Sequence, residues 1–239
     1  VKIGLVALAT ALGLKLAYAH ATAVDLRWVL GPSCFVAEQL AGLRFGWDPA
    51  AGYVSHGAHM VVGPPCAGVN FLVACSLALH FSCQARFVGA WRKLSLCAAS
   101  FGAGYIATIA ANGTRIALAV RLGHADFHAG VGSYAAVHRL IGVLVYAAAL
   151  LVVCLAASRL LAAPRTGAAR RIAIPVACYL GIALAVPLCH RALGHGAPGL
   201  AGHATQTSIA LAVVAALALL GERLLDRILS KRADIAARS

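Results

Sequence analysis

Acidic side chains are scarce: Asp and Glu together number seven among 239 residues, against twenty Lys and Arg. Charge of either sign is thin, at 11% of the chain, where soluble globular proteins carry about 25%. That scarcity excludes a disordered chain, a coiled coil and an ordinary cytosolic enzyme. The eight Cys include no C-x-x-C pair, which speaks against a zinc ribbon or a thioredoxin-like site. No internal repeat is visible. No nucleic-acid-binding motif accompanies the net charge of +13, and the basic residues are dispersed. Nucleic acid is therefore not an expected partner.

Apolar residues fill the space that charge leaves. They make up 62% of the chain, and the mean hydropathy is +0.86. This composition predicts an all-α, polytopic membrane helix bundle. A span needs about 20 mostly apolar residues to cross ~30 Å of hydrocarbon. Six runs qualify: Val1 to about His20, Cys66–Ser82, Leu94–Val120, His138–Leu161, Ile172–His190 and Thr205–Leu220. The first is too long, and its end too unlike A-x-A, for a cleaved signal. Between it and the second lies a long stretch with Pro32, Pro49, Pro64, Pro65 and several charges, read as non-spanning. Pro175 and Pro187 mark kinks or ends in the fifth.

The loops set an orientation. Arg86, Arg92 and Lys93 lie between the second and third runs, and Arg159, Arg165, Arg170 and Arg171 between the fourth and fifth, with no acid in either group. The tail adds Arg223, Arg227, Lys231, Arg232 and Arg238. Cytoplasmic loops are the ones enriched in Lys and Arg, so both termini are expected in the cytoplasm. Residues 1–221 read as one transmembrane domain and 222–239 as a basic cytoplasmic tail.

Polar groups inside apolar runs are costly and therefore informative. Cys66 opens the second run after Pro64-Pro65, Asn112 and Arg115 lie near the end of the third, and His138 opens the fourth. In this topology Cys66, Arg115 and His138 all fall on the outer face. The trio makes coherent chemistry. A helix start after Pro64-Pro65 favours a thiolate at Cys66. His138 can carry a proton near neutral pH. Arg115 stays charged and can hold an oxyanion with its planar fork. Together they suit acyl transfer through a thioester. Taken singly, each also has an ordinary reading: Cys66 as packing, Arg115 as a snorkelling anchor, His138 as an interfacial hydrogen bonder.

At these residues the sequence resembles the exosortase/archaeosortase family, most closely its exosortase K branch. The carriers are Cys66-Ala67-Gly68-Val69-Asn70-Phe71, an N-x-x-R-I block at Asn112 to Ile116, and an H-x-x-x-G block from His138 to Gly142. Leu26-Arg27-Trp28-Val29-Leu30 and Gly52-Tyr53-Val54 add to the likeness. The resemblance implies a bacterial inner-membrane thiol protease or transpeptidase. Such an enzyme cleaves a C-terminal sorting signal (short motif, transmembrane helix, basic cluster) on exported proteins at the outer, periplasmic face. It implies Cys66 as nucleophile, His138 as acid/base, Arg115 as transition-state stabiliser, and Asn112, Gly68 and Gly142 in support. No cofactor or metal is called for; the partners are the exported proteins and the lipid bilayer. Where many exosortases have an acid after the His, this chain has Arg139, leaving Asp126 as a weak candidate to orient His138.

A rival reading is a His-rich haem or metal carrier. His56 and His59 stand three apart, His124 and His128 four apart, and His190, His195 and His203 cluster late in the chain. These lie in Gly-rich loops with few carboxylates, and none forms a mid-membrane pair on facing helices. A transporter is a third reading, disfavoured by the absence of broken-helix pairs and of acids along the runs.

Overall fold

The computed structural model describes residues 2–123, 134–161, 168–192 and 200–236. Among them the chain forms α1 (Lys2–Ala19), α2 (Arg27–Ala41), strands β1 (Gly46–Asp48), β2 (Gly52–Ser55) and β3 (Met60–Val62), then α3 (Val69–Cys83), α4 (Ala90–Gly123), α5 (Tyr134–Leu160), α6 (Ala168–Ala192) and α7 (Leu200–Ala236). Short 3-10 turns flank α3 at Pro64–Cys66 and Gln84–Arg86. The six apolar runs correspond to α1 and α3–α7. Among the described residues three segments are long and apolar enough to cross a membrane: Pro64–Arg86, Ala90–Leu122 and His138–Leu160.

The helix α3 is the centre of the bundle. It is apolar all round, and a helix of that kind belongs inside others. Its residues from Phe71 to Leu79 are buried without interruption, and it packs against α1, α4, α5 and α6. Ala74, Cys75 and Ala78 meet Ala107 and Ala111 of α4 and Ala147 and Cys154 of α5. Small side chains at these contacts let the backbones approach closely. By contrast, Leu5, Leu8, Leu12 and Leu16 of α1 and Ile209, Val213, Leu217 and Leu220 of α7 point outward and exposed, a large apolar exterior.

Two elements in the region before α3 correct the sequence reading. Residues 27–41, read as part of a non-spanning stretch without assigned structure, form α2 despite Pro32. Local hydrogen bonds lead into this helix: the Thr22 amide and hydroxyl both donate to Asp25 Oδ2, at 2.8 and 2.7 Å. These bonds hold the exposed Asp25 carboxyl below the usual carboxylate range. Its far end closes with the Gly42 amide donating to the Glu38 carbonyl. The second correction is a three-stranded antiparallel sheet, order β1-β2-β3, in what was read as a purely helical chain. The paired Trp47 and Tyr53 rings meet edge to face at 4.9 Å, and Arg27 of α2 lies over Trp47. Leu26, Val29, Leu30, Cys34 and Ala37 pack with Val62, Ala67, Ile116 and Ala117. The α2–sheet unit is thereby seated against α4, immediately ahead of Cys66.

The bundle has two chemically distinct ends. Cys66, Arg115 and His138 lie toward one. At the other, Glu222 is buried on α7 and accepts from Arg159 Nε of α5 at 2.9 Å, while Arg171 of α6 lies 2.8 Å from its second oxygen. The boundary expected at 221/222 therefore falls inside α7, at a residue that ties three helices together.

Candidate active site

Cys66 is held by a rigid local turn. Pro64 and Pro65 each fix φ and lack an N–H, and the Cys66 amide donates to the Gly63 carbonyl at 2.9 Å. The Tyr18 hydroxyl of α1 donates to the Pro64 carbonyl at 2.9 Å. The expectation that Cys66 itself begins a long helix is corrected here. It ends a 3-10 turn, and α3 starts three residues later at Val69, with Gly68 as N-cap at φ +71°. Only glycine takes that backbone conformation without strain. A Cβ on Gly68 would also stand 3.1 Å from the Tyr146 hydroxyl and 3.2 Å from Thr108 Cγ2. Gly68 is thus both the turn and the space that lets the Cys66 segment approach α4 and α5.

Arg115 is the hub. Its Nη1 donates to Asn112 Oδ1 at 3.3 Å, one helical turn back, and its Nη2 lies 2.8 Å from His138 Nε2. Its guanidinium also lies over the Tyr146 ring at 5.8 Å. Gly142, one turn on from His138, makes room: a Cβ there would stand 3.1 Å from Arg115 Nε. Arginine has donors and no acceptor. His138 Nε2 therefore accepts, and the imidazole in this arrangement is neutral with its proton on Nδ1.

Asn112 is fully buried and spans the site. Its Nδ2 donates to the Cys66 carbonyl at 2.7 Å, while its Oδ1 accepts from Arg115 and, at 2.8 Å, from the Tyr146 hydroxyl. An amide puts its donor and its two-lone-pair acceptor on separate atoms, so it can donate on one side and accept twice on the other, which rationalises Asn at this position. Tyr146 is the residue the sequence reading missed. It stacks on Phe71 at 4.8 Å between ring centres. The signal was present: His138, Gly142 and Tyr146 are spaced by four and share one face of α5.

The six expected residues, Cys66, Gly68, Asn112, Arg115, His138 and Gly142, are thus brought together. Beside them opens a cavity of about 310 Å³ whose polar wall includes Arg115, His138, Asn70, Tyr146 and Thr207. Pro65 and Gly68, on either side of the Cys66-Ala67 pair, line it, while Cys66 itself is half-buried beside it and is not part of the lining. Lys15 of α1 donates to Asn70 Oδ1 at the rim. Asp126 lies outside the described residues, as do His124, His128 and His195 and the side chains of His190 and His203. His56 and His59 sit at the β2–β3 turn, and among the described residues no three His, Cys, Asp or Glu side chains gather.

No family model, no curated protein and no solved structure matches the chain. The functional reading therefore rests on the residues and their geometry.

Proposed function

We propose that the chain is an integral membrane protein of six spans, α1 and α3–α7, acting as an exosortase-like cysteine peptidase or transpeptidase on exported proteins. The observation that carries this reading is one hydrogen-bonded set: Arg115 joins His138 Nε2 and Asn112, and Asn112 in turn holds the Cys66 carbonyl. A snorkelling anchor extends toward headgroups; Arg115 instead turns inward, to Asn112 of its own helix and His138 of α5.

The chemistry follows from the donors. When a scissile carbonyl enters the cavity, the Arg115 fork moves from His138 Nε2 to the carbonyl oxygen. The freed Nε2 takes the thiol proton as Cys66 Sγ bonds to the carbonyl carbon. Arg115 holds the negative oxygen that develops. The intermediate collapses with loss of the amine, which takes the proton from His138, leaving a thioester on Cys66. An acceptor amine or water then attacks, again giving its proton to His138, and Cys66 leaves as a thiol. Asn112 fixes the Cys66 carbonyl and the guanidinium throughout. The substrate class is an exported protein ending in a motif, an apolar helix and a basic cluster.

The charge of the loops supports an orientation with both termini in the cytoplasm of a bacterial inner membrane and the site outside. Thiols introduced at residues 121–134 are then labelled from outside; labelling only from the cytoplasm contradicts the orientation. The activity is tested by co-expressing the full chain with an exported protein that ends in such a signal. The wild type is expected to remove the C-terminal helix and Cys66→Ala to leave it. Removal by Cys66→Ala contradicts the reading.

A further inference from the structure

At the end of the bundle opposite Cys66, a small pocket lies between the end of α3, the 3-10 turn after it, the last turns of α5 and the start of α6. Ser82, Arg86, Ser158, Arg170 and Arg171 line it. Three buried polar atoms on these residues have no hydrogen-bond partner: Ser82 Oγ, Arg86 Nη1 and Arg171 Nε. All three can donate. Buried donors left unmade are costly, and all three belong to residues that line one pocket, which points to an acceptor bound beside them.

The charge at this end favours an anion. Glu222 is engaged by Arg159 and Arg171 together. Arg86 and Arg170 meet no acid among the described residues. Arg170 and Arg171 also stand in the first turn of α6, a helix of 25 residues, whose free amides carry partial positive charge. A water molecule would satisfy donors and leave the excess positive charge in place. A phosphate answers both, with several acceptor oxygens and negative charge suited to guanidinium forks. The interior is only about 20 Å³, room for about one oxygen-sized group, so a single phosphate oxygen enters while the rest of the molecule stays outside.

We propose that this pocket binds a phosphate group, with Ser82, Arg86 and Arg171 donating to its oxygens and Arg170 at the rim. Two sources carry that chemistry: the headgroup of an anionic phospholipid in the surrounding leaflet, and free phosphate. The inference is independent of the thioester reading, since it concerns the other end of the molecule.

The test uses the full chain in nanodiscs of phosphatidylcholine containing a minor fraction of phosphatidylglycerol, with retained lipid counted by native mass spectrometry. In parallel, inorganic phosphate is added in detergent and thermal unfolding followed against equal ionic strength of chloride. The wild type is expected to retain phosphatidylglycerol selectively. Retention is expected to fall about fivefold for each arginine removed in Arg86→Gln and Arg170→Gln. Arg223→Gln, an exposed arginine on α7, is expected to change little. Ser82→Ala keeps every charge and weakens retention without threatening the fold. Selective lipid retention without a phosphate shift assigns the lipid headgroup; a phosphate shift that Arg86→Gln abolishes, without lipid selectivity, assigns free phosphate. Equal retention and equal phosphate response in the wild type, Arg86→Gln, Arg170→Gln and Ser82→Ala overturn the proposal.

Discussion

Arg115 Nη2 lies 2.8 Å from His138 Nε2, so the atom proposed to receive the Cys66 proton is occupied by a hydrogen bond in the resting site. The site is in this sense self-restrained: base and oxyanion donor hold each other until a carbonyl oxygen draws the guanidinium away. This arrangement makes the shape of the cation at residue 115 matter, and not only its charge.

Arg115→Lys is therefore expected to insert normally and to process substrate about 100-fold or more slowly, the usual cost of an oxyanion donor. A lysine ammonium is a point charge and cannot present a planar fork to His138, Asn112 and an incoming oxygen together. Cys66 should stay reactive to a small thiol reagent in this variant. Comparing processing with membrane yield checks both halves. Near-wild-type processing would make Arg115 an anchor.

Gly68 and Gly142 should fail in different ways. Gly68→Ala puts a side chain at φ +71°, a strain of about 1–2 kcal/mol, and crowds Tyr146 and Thr108 as well. It is expected to lower both stability and activity. Gly142→Ala places a Cβ 3.1 Å from Arg115 Nε, so a displaced guanidinium is the easier adjustment. It is expected to keep the thermal midpoint close to wild type while processing falls at least tenfold. Thermal unfolding paired with a processing assay separates the two.

The cysteines offer a contrast in reactivity. Cys34 on α2 is almost fully buried, and burial pushes its thiol up to about 12, with the Glu38 carboxylate adding to the effect. Its thiolate is scarce at neutral pH. Cys66 is half-buried, in a short turn whose carbonyl Asn112 holds. Limiting iodoacetamide on the folded protein at neutral pH should modify Cys66 and spare Cys34, read by peptide mass spectrometry. Raising the pH toward 12 brings Cys34 into reaction.

Much of the helical plan was legible in the sequence, because long apolar runs fold as helices that pack on one another. The candidate site was legible for a different reason: Cys66, Asn112, Arg115 and His138 are polar residues in runs where polarity is costly. The region 21–62 was not. Pro32 falls inside α2, where proline normally argues against a helix, and β1 and β3 have only three residues each, too few for an alternating pattern to register. Tyr146 escaped because an isolated tyrosine in an apolar run carries no motif. Its meaning depends on Asn112 lying across the interface. The basic pocket was legible only as loop charge, since the donors that converge there come from three separate stretches of chain.

Glu222 shows how far the bundle depends on one acid. Glu222→Gln leaves Arg159 and Arg171 without their shared counter-charge at a residue that is 5% exposed. Breaking a buried pair from one side costs about 3 kcal/mol or more. A clear drop in thermal midpoint is expected, with the Cys66 end still reactive to iodoacetamide.

The central claim is a covalent thioester on Cys66. The most direct measurement is peptide mass spectrometry of the full chain, acid-quenched during turnover of an exported protein carrying the sorting signal, with and without hydroxylamine. A substrate-derived acyl adduct is expected on the Cys66 peptide, removed by hydroxylamine and absent in Cys66→Ala, which should also leave the substrate uncut. Substrate cleaved by Cys66→Ala, with no adduct on the wild-type Cys66 peptide, would contradict it.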